Sequence, residues 1–231
     1  MFKIFGIAVL AVALSACGAP RPRPPAPPSP VRPGVLPTLP AAGHYRIDAA
    51  RSELLLLVYR AGPMARFGHN HVIVNRALQG SMTLAATATA SAFSLTVPTA
   101  GFVVDDARLR LEEGPDFADD VPDDAKSGTL RNMLSAAVLD AAAFPSITID
   151  SVAVSAAQGQ LTATVAIKLA GHESRIDVPF VLKSDARELS ATGSLELRQS
   201  AVGLTPYSLM LGALQVRDAM RLKFKIVAIP G

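Results

Sequence analysis

Residues 42–231 are predicted to form one all-β domain, because three features of this stretch are typical of antiparallel strands. Apolar and polar residues alternate along several segments, which is the period of a strand with one buried face and one solvent-facing face. Turn signals separate the segments, notably at Gln158-Gly159, Gly171-His172 and Ser184-Asp185. The segments number about eight to ten, and that number favours a closed barrel or a sandwich.

The predicted strands are most regular in the second half of the chain, where the alternation persists over whole segments. In chain order the runs lie near 44–48, 53–60, 72–84, 93–97, 147–149, 161–169, 176–182, 189–197 and 222–226. The first three are less regular than the others. Together the runs supply enough strands to close a barrel of about eight.

One segment has the period of a helix instead. Its apolar residues recur three and four positions apart, at Leu130, Met133, Leu134, Ala137, Val138 and Ala141. Ser127 or Thr129 is a suitable N-cap, and Pro145 prevents the helix from continuing. We therefore expect one amphipathic α-helix whose apolar stripe lies against the mouth or the flank of the barrel.

Nine acidic residues lie between Asp105 and Asp124, directly before this helix. Their spacing does not match that of a known calcium-binding loop, in which oxygen ligands recur at fixed positions. We therefore expect a solvated loop here.

The first 16 residues are predicted to be a lipoprotein signal peptide. Lys3 precedes an apolar run over 4–14, which at about 1.5 Å per residue is too short to cross a hydrocarbon core of roughly 30 Å. The tetrapeptide Leu14-Ser15-Ala16-Cys17 resembles the bacterial lipoprotein box, whose cysteine is acylated after cleavage. An ordinary signal peptide is the alternative. Cys17 is therefore the expected lipidation site and membrane anchor.

Residues 17–41 are predicted to tether the domain to that anchor. Ten of the 23 residues from Gly18 to Pro40 are proline, and proline at that density favours an extended polyproline II chain of about 3.1 Å per residue. The expected location is the periplasm, anchored to a bacterial membrane through Cys17. In a Gram-negative host, Gly18 after the cysteine favours the outer membrane.

Composition excludes several kinds of partner and site. The formal net charge is +3, and it falls to +2 when Lys3 leaves with the signal peptide, since 21 basic residues then face 19 acidic ones. The basic residues are scattered and aromatic residues are 5% of the chain, whereas nucleic-acid binding calls for clustered cations and stacking rings. A lone cysteine also excludes an intrachain disulfide and a cysteine metal cluster.

Motifs across the domain resemble those of the YceI-like family. Residues 44–48 (HYRID) resemble its opening strand, 128–140 its helix, and 144–149 (FPSITI) the strand that follows. The pieces 159–162 and 169–171 resemble its next hairpin, and the pieces 197–206 and 212–218 resemble its C-terminal signature. The resemblance extends from residue 44 to residue 229, which is essentially the whole domain.

The resemblance implies a lipocalin-like antiparallel β-barrel in the periplasm, with a long apolar ligand such as a polyisoprenoid or an isoprenoid quinone in its lumen. The residues agree with this, because the inward sets are rich in Ala, Gly, Val and Leu and the chain has no Trp. Small inward residues favour an unfilled interior. The candidate ligand contacts are the inward residues of the clearest strands, Leu161, Val165, Ile167, Ile176, Val178, Phe180, Leu195 and Phe224. No cofactor is expected beyond such a lipid.

His69 and His71 are the sharpest candidates for polar chemistry. On a strand, residues two apart project to the same face, so both imidazoles can reach one ligand head group or one metal ion. A polar role at the barrel mouth, metal binding completed by His44 or His172, and structural hydrogen bonding all remain open for this pair.

Two functions other than lipid carriage follow from these features. One is a metal- or haem-associated periplasmic protein that uses His69 and His71. The other is a structural envelope lipoprotein whose barrel is filled by its own side chains. No serine elbow, phosphate loop or other catalytic motif appears in the sequence, so an enzyme is not expected.

Overall fold

A computed structural model describes residues 39–185 and 187–231 of the chain. The predicted signal peptide, Cys17 and nearly all of the tether lie outside these residues. Within the described part, no helix has the length and hydropathy that a membrane-spanning helix needs.

The described residues are mostly strand, as the alternation predicts. In chain order the strands are β1 (Gly43–Ile47), β2 (Glu53–Val58), β3 (Arg60–Ala61), β4 (His71–Asn75), β5 (Gln79–Leu84), β6 (Ala92–Pro98), β7 (Phe102–Val104), β8 (Ser146–Ala157), β9 (Gln160–Leu169), β10 (His172–Ser184), β11 (Leu189–Arg198), β12 (Ser208–Leu209), β13 (Leu214–Val216) and β14 (Ala219–Pro230). The α-helices are α1 (Ala107–Glu112) and α2 (Asp123–Leu134). Short 3-10 turns lie at Ala49–Arg51, Ala65–Phe67, Ala88–Ala90, Thr99–Gly101, Pro115–Phe117, Gln199–Val202 and Met210–Gly212.

Eight strands close into an antiparallel barrel in the order β1-β5-β6-β8-β9-β10-β11-β14. The last of these returns to the first, because Tyr45 of β1 lies opposite Pro230 of β14 and Ile47 lies opposite Ala228. The predicted closed barrel of about eight strands is therefore confirmed, and a sandwich is excluded. Closure also removes the free edges that an open sheet exposes to other chains.

Bends in the first strands make the two ends of the barrel different. β1 pairs with the end of β14 and β2 pairs with its middle, so these two strands are halves of one bent strand. At the bend, the Ser52 hydroxyl accepts a hydrogen bond of 2.9 Å from the Val227 amide. This bond satisfies an amide that the bend removes from the ladder. Beyond the bend, β2, β4 and β7 continue as a flap of sheet on the far side of β14.

Helix α2 packs against β7, near the open end of the barrel. Its residues Leu130, Met133 and Leu134 are partly buried and pack on the main core cluster, so the predicted position of the helix near the mouth is confirmed. Its predicted bounds are wrong. The helix begins at Asp123 after Pro122, with two acidic residues in its first turn, and it ends at Leu134. Negative charge near a helix N-terminus is stabilising, which accounts for the earlier start.

The acidic segment before α2 is not simply a solvated loop. Most of its carboxylates are exposed, but α1 lies within it, and Leu109 and Phe117 pack against a second core cluster on the outer side of β2 and β4. Asp105 at its start is buried, with 3% of its surface exposed. The expectation of a solvated loop is therefore wrong for Asp105 and for the apolar residues of the segment. The apolar residues cover a face of β2 and β4 that would otherwise meet water.

Candidate functional site

The barrel encloses an inner cavity of about 160 Å³. Apart from Ser91, every residue on its wall is apolar. The interior is empty partly because small residues face it, including Ala163, Ala191 and Ala228. Gly193 acts differently: a β-carbon there would lie 2.4 Å from Phe224 Cζ, so the glycine leaves room for the Phe224 ring.

A second, outer cavity of about 330 Å³ lies at the open end of the barrel, beneath α2. Its wall is also mainly apolar, but it carries a small set of polar side chains. These are Tyr59, Arg60, His69, His71, Thr129, Asn132, Gln199, Tyr207 and Gln215. The two cavities therefore differ in chemistry, since the inner one offers no charged group and the outer one offers hydrogen-bonding groups.

The two cavities adjoin each other inside the barrel. Leu54, Val97, Ile149, Ile167 and Leu222 line both of them. The boundary is thus a ring of aliphatic side chains and not a layer of backbone. Side chains change rotamer far more readily than a sheet changes its hydrogen bonding, so this boundary can open without unfolding the barrel.

The structure brings most of the predicted lumen residues together. Seven of the eight line the inner cavity, namely Val165, Ile167, Ile176, Val178, Phe180, Leu195 and Phe224. Leu161 does not; it is buried at the closed end in a cluster with Leu182 and Leu189, and those two leucines do line the cavity. Its register explains this, because Leu161 is next to the turn that joins β8 to β9. That these residues contact a ligand stays a prediction.

Sequence analysis missed wall residues that belong to the shorter or less regular strands. Ile47, Met82, Phe93, Leu95 and Ile149 also line the inner cavity. Phe93, Leu95 and Ile149 carry the same alternation as the longer strands, so this signal was available. The same holds for β1 and β5, because Tyr45 and Ile47 alternate with His44 and Arg46, and Met82 and Leu84 alternate with Ser81 and Thr83.

His71 is part of a buried polar cluster at the wall of the outer cavity. Its Nδ1 donates to Asp105 Oδ2 over 2.6 Å, and its Nε2 lies 3.2 Å from the Thr129 hydroxyl of α2. Arg110 of α1 donates to Asp105 Oδ1 over 2.5 Å. Arg110 also donates to the backbone carbonyl of Asn70 over 2.8 Å. The cluster thereby fixes both helices relative to β4.

The charge state of Asp105 follows from these contacts. Burial by itself acts to raise the pKa of this carboxyl. The hydrogen bonds from His71 and the Val72 amide, the charge interaction with His71, and the hydrogen bond from Arg110 together outweigh burial and hold the pKa of Asp105 below its ordinary value. Asp105 is therefore an anion paired with Arg110, and it fixes a proton on His71 Nδ1.

His69 and His71 meet at the outer cavity, with ring centroids 6.3 Å apart. His69 lies in the loop before β4 and not on a strand, so the strand geometry assumed for this pair is wrong although the two rings do converge. His69 Nδ1 is buried and has no hydrogen-bond partner among the described residues. A buried polar atom of this kind is costly unless something pairs with it.

Neither of the other two described histidines joins this pair. His44 lies beside Thr83 on β5, and His172 packs against Gly203. Across residues 39–185 and 187–231, no group of three His, Cys, Asp or Glu side chains is arranged to hold a metal ion. Together, Thr129, His71 and Asp105 form a hydroxyl–imidazole–carboxylate chain that can orient a polar group at the cavity wall.

Comparisons with known proteins agree on the fold. A family model for the YceI-like domain matches residues 45–228. BcnA of Burkholderia cenocepacia is 17% identical and superposes with a TM-score of 0.57 over 78% of this chain and 98% of its own. A polyisoprenoid binding domain from Saccharophagus degradans, implicated in plant cell wall breakdown, is 11% identical, with a TM-score of 0.55 over 83% of this chain and 100% of its own. No curated protein matches the sequence.

Proposed function

The chain belongs to the YceI-like domain family, and from that premise we propose that its barrel binds a long apolar lipid of the polyisoprenoid or isoprenoid quinone type. The observation that supports this most directly is the inner cavity, whose wall is apolar apart from Ser91 and which adjoins a larger outer cavity. The Saccharophagus degradans protein of similar fold is a polyisoprenoid binding domain, which supports the same class of ligand here.

The energetic reason is the cost of an empty apolar interior. Wall residues such as Ile176, Val178 and Phe180 point into the barrel but remain only partly buried, because they face the cavity. A hydrocarbon chain in that space regains packing contacts, and each buried CH₂ contributes about 0.8 kcal/mol. A flexible chain also suits a cavity that narrows at a ring of aliphatic side chains.

The polar groups of the outer cavity suggest where the head of the lipid lies. His69 Nδ1 lacks a partner among the described residues, and the His71–Thr129 pair is next to it. Arg60 is the one described wall residue that is charged at every physiological pH, and it is already bonded to the Gly68 carbonyl at 2.5 Å. We therefore expect a neutral head group that hydrogen-bonds, such as a quinone, phenol or alcohol, in preference to a diphosphate.

The cellular part of the proposal comes from the N-terminal sequence. We propose that Cys17 carries the membrane anchor, that the domain works in the periplasm, and that it sequesters or transfers its lipid there. A proline-rich tether after Cys17 supports transfer, since it keeps the protein at a membrane while the barrel changes orientation.

Native mass spectrometry of the protein purified from its own host tests the binding proposal. The expected result is a bound species whose mass is that of a prenyl lipid. A barrel with no lipid, together with the absence of a saturable site for added ubiquinone-type lipid, would contradict the proposal and favour a filled structural barrel.

A histidine double variant distinguishes lipid binding from the metal or haem alternative. We expect His69→Ala/His71→Ala to weaken binding of a quinone several-fold and to leave binding of a hydrocarbon of the same length unchanged. The matched control is His44→Ala/His172→Ala, which changes two histidines outside the cavity. Metal or haem that purifies with the parent and is lost only from the first variant would support the alternative function.

A further inference from the structure

The rim of the outer cavity carries an exposed apolar surface that the binding proposal does not use. Leu211 is fully exposed, Met210 is 71% exposed and Phe67 is 60% exposed. These residues lie on two neighbouring loops, 62–68 and 209–214. We call this surface the apolar rim.

The two loops form one continuous surface. The Met64 amide donates to the Ala213 carbonyl over 2.8 Å, and a β-carbon on Gly68 would touch Leu214 Cδ1 at 3.0 Å. Gly68, Leu209 and Leu214 also line the outer cavity. The apolar rim therefore borders the cavity in which the head group is proposed to lie.

The backbone at the tip of the second loop is unusual for such residues. Met210 and Leu211 both have positive φ, of 50° and 55°, and Gly212 follows with a φ of 91°. Residues with a β-carbon are disfavoured in this region, and large apolar ones rarely occupy it. The chain thus presents two long apolar side chains to solvent from a conformation that is itself unfavourable, which indicates a partner for them.

We propose that the apolar rim inserts into the interface of a lipid bilayer, so that the lipid passes between the membrane and the outer cavity without crossing water. The passage of lipid by this route rests on the proposed function, whereas insertion of the rim into the membrane does not. Arg66 supports a bilayer as the partner, because its guanidinium lies 4.6 Å from the centre of the Phe67 ring. An aromatic ring with a cation beside it suits the boundary between head groups and acyl chains.

The charges around the rim indicate how docking depends on lipid composition. Arg60 lies 3.7 Å from Asp119, so this cation is partly neutralised by the acidic segment. We therefore expect docking to depend mainly on apolar insertion, with only a small gain from anionic lipid.

The start of the domain lies at the other end of the barrel. Leu39 packs against the cluster at the closed end, which includes Tyr45, Leu161 and Leu189. Leu39 follows Cys17 by 22 residues, and a chain of that length in the predicted polyproline II conformation would span roughly 70 Å at about 3.1 Å per residue. The longest barrel strands span about 40 Å at about 3.3 Å per residue. A tether of that length allows the rim to turn towards the membrane that holds Cys17.

A position-specific fluorescent probe tests membrane contact directly. Cys17 is the only cysteine, so Cys17→Ser in the full chain gives a background in which Leu211→Cys places an environment-sensitive dye at the tip. The matched control is Leu111→Cys, since Leu111 on α1 is 79% exposed and does not line either cavity. Both are titrated with phosphatidylcholine vesicles, alone and mixed with phosphatidylglycerol.

The expected result is a blue shift and a several-fold rise in fluorescence at position 211, quenched by a lipid-borne quencher, with no change at position 111. No change at position 211, or equal changes at both positions, overturns the proposal. Probes at Phe67→Cys give a second reading from the other loop, and there the same outcome is expected.

A second variant separates this inference from the binding proposal. Met210→Ser/Leu211→Ser is expected to bind a quinone delivered from cyclodextrin as the parent does, but to extract the same quinone from vesicles several-fold more slowly. Unchanged extraction overturns docking while leaving lipid binding intact. Failure of the parent to bind the delivered quinone counts against the proposed function and leaves the probe experiment to decide on docking.

Discussion

Asp105 is the electrostatic centre of the polar cluster beside the outer cavity. One of its oxygens accepts from Arg110 at 2.5 Å and from the Val72 amide at 2.9 Å, and the other accepts from His71 at 2.6 Å. A carboxylate can accept at both oxygens simultaneously, whereas the amide of asparagine has one acceptor and one donor end. The position therefore requires an anion and not merely a side chain of this shape.

Replacement of this anion is predicted to destabilise the fold. Asp105→Asn leaves the Arg110 charge, only 7% exposed, without its counter-ion, and loss of one partner of a buried pair typically costs about 3 to 5 kcal/mol. The free energy of unfolding from urea titration measures the effect. Asp177→Asn is the control, because Asp177 is an exposed acceptor for the Thr164 hydroxyl, and its loss should cost under about 1 kcal/mol.

Asp105 also predicts a dependence of stability on acid. Its pKa is lower in the folded chain than the ordinary value of 3.8, so its contribution is complete above that value and is lost as pH falls through the lower, folded-state pKa. Unfolding free energies measured between neutral pH and pH 2 should therefore fall more steeply below pH 4 in the parent than in Asp105→Asn. Parallel curves for the two proteins would show that Asp105 is not a paired anion.

At this scale, sequence reasoning identified some participants and not others. The convergence of His69 and His71 follows from their spacing of two residues. The bond between His71 and Asp105 joins residues 34 positions apart, and it depends on the antiparallel pairing of β7 with β4, which places Asp105 beside Val72. Since nine acidic residues share that stretch, nothing local distinguishes Asp105 from its exposed neighbours.

Among the secondary-structure elements, β2 shows why alternation is not always visible. Residues 54–57 are all leucine, because both faces of β2 are covered. Leu54 and Leu56 pack with the main cluster on the cavity side, and Leu55 and Leu57 pack under α1 on the other side. A strand buried on both faces has no polar side to reveal its period, which explains the irregular run near 53–60.

Strand β11 provides a direct test of the inner cavity as a ligand site. Ala191→Phe places a ring into that cavity, so we expect lipid affinity to fall at least about tenfold, which corresponds to about 1.4 kcal/mol. The new ring occupies existing cavity volume, so neighbouring side chains need not move. The free energy of unfolding without lipid should therefore be unchanged or rise by about 0.5–2 kcal/mol. Quinone titration and urea unfolding measure the two quantities.

The control for this variant is the same substitution, alanine to phenylalanine, at a position on the outer face of the barrel. Ala166 of β9 alternates with the cavity residues Val165 and Ile167 and so faces outward. Ala166→Phe should leave lipid affinity unchanged. Equal losses of affinity in both variants would mean that the lipid does not occupy the inner cavity.

The two ends of the barrel differ. At one end Leu161 is buried in a cluster with Leu182 and Leu189, and the latter two also line the inner cavity. At the other end, the flap of β2, β4 and β7 surrounds the outer cavity together with α2. A long lipid that occupies both cavities therefore has a direction, with its tail in the apolar inner cavity and its head near the rim.

Occupancy of this interior should raise the stability of the whole domain. A ligand present at about 100 times its Kd adds about 2.7 kcal/mol, and each kcal/mol raises the Tm of a domain of this size by about 2–4 °C. We therefore expect the lipid-loaded protein to melt roughly 5–10 °C above the delipidated protein in calorimetry. Ala191→Phe should show a much smaller difference between the two preparations.

The sequence by itself determined the all-β class and the two faces of the longest strands, because alternation is a local property of about ten residues. Alternation left a barrel and a sandwich both open, and the motifs that resemble the YceI-like family predicted the barrel. Only the tertiary structure decided where the cavity ends, so that Leu161 fills the closed end while Val165 faces space, and only it paired Asp105 with His71 and Arg110. Empty volume and buried charge depend on which distant side chains approach each other, and no short window of the chain contains both partners.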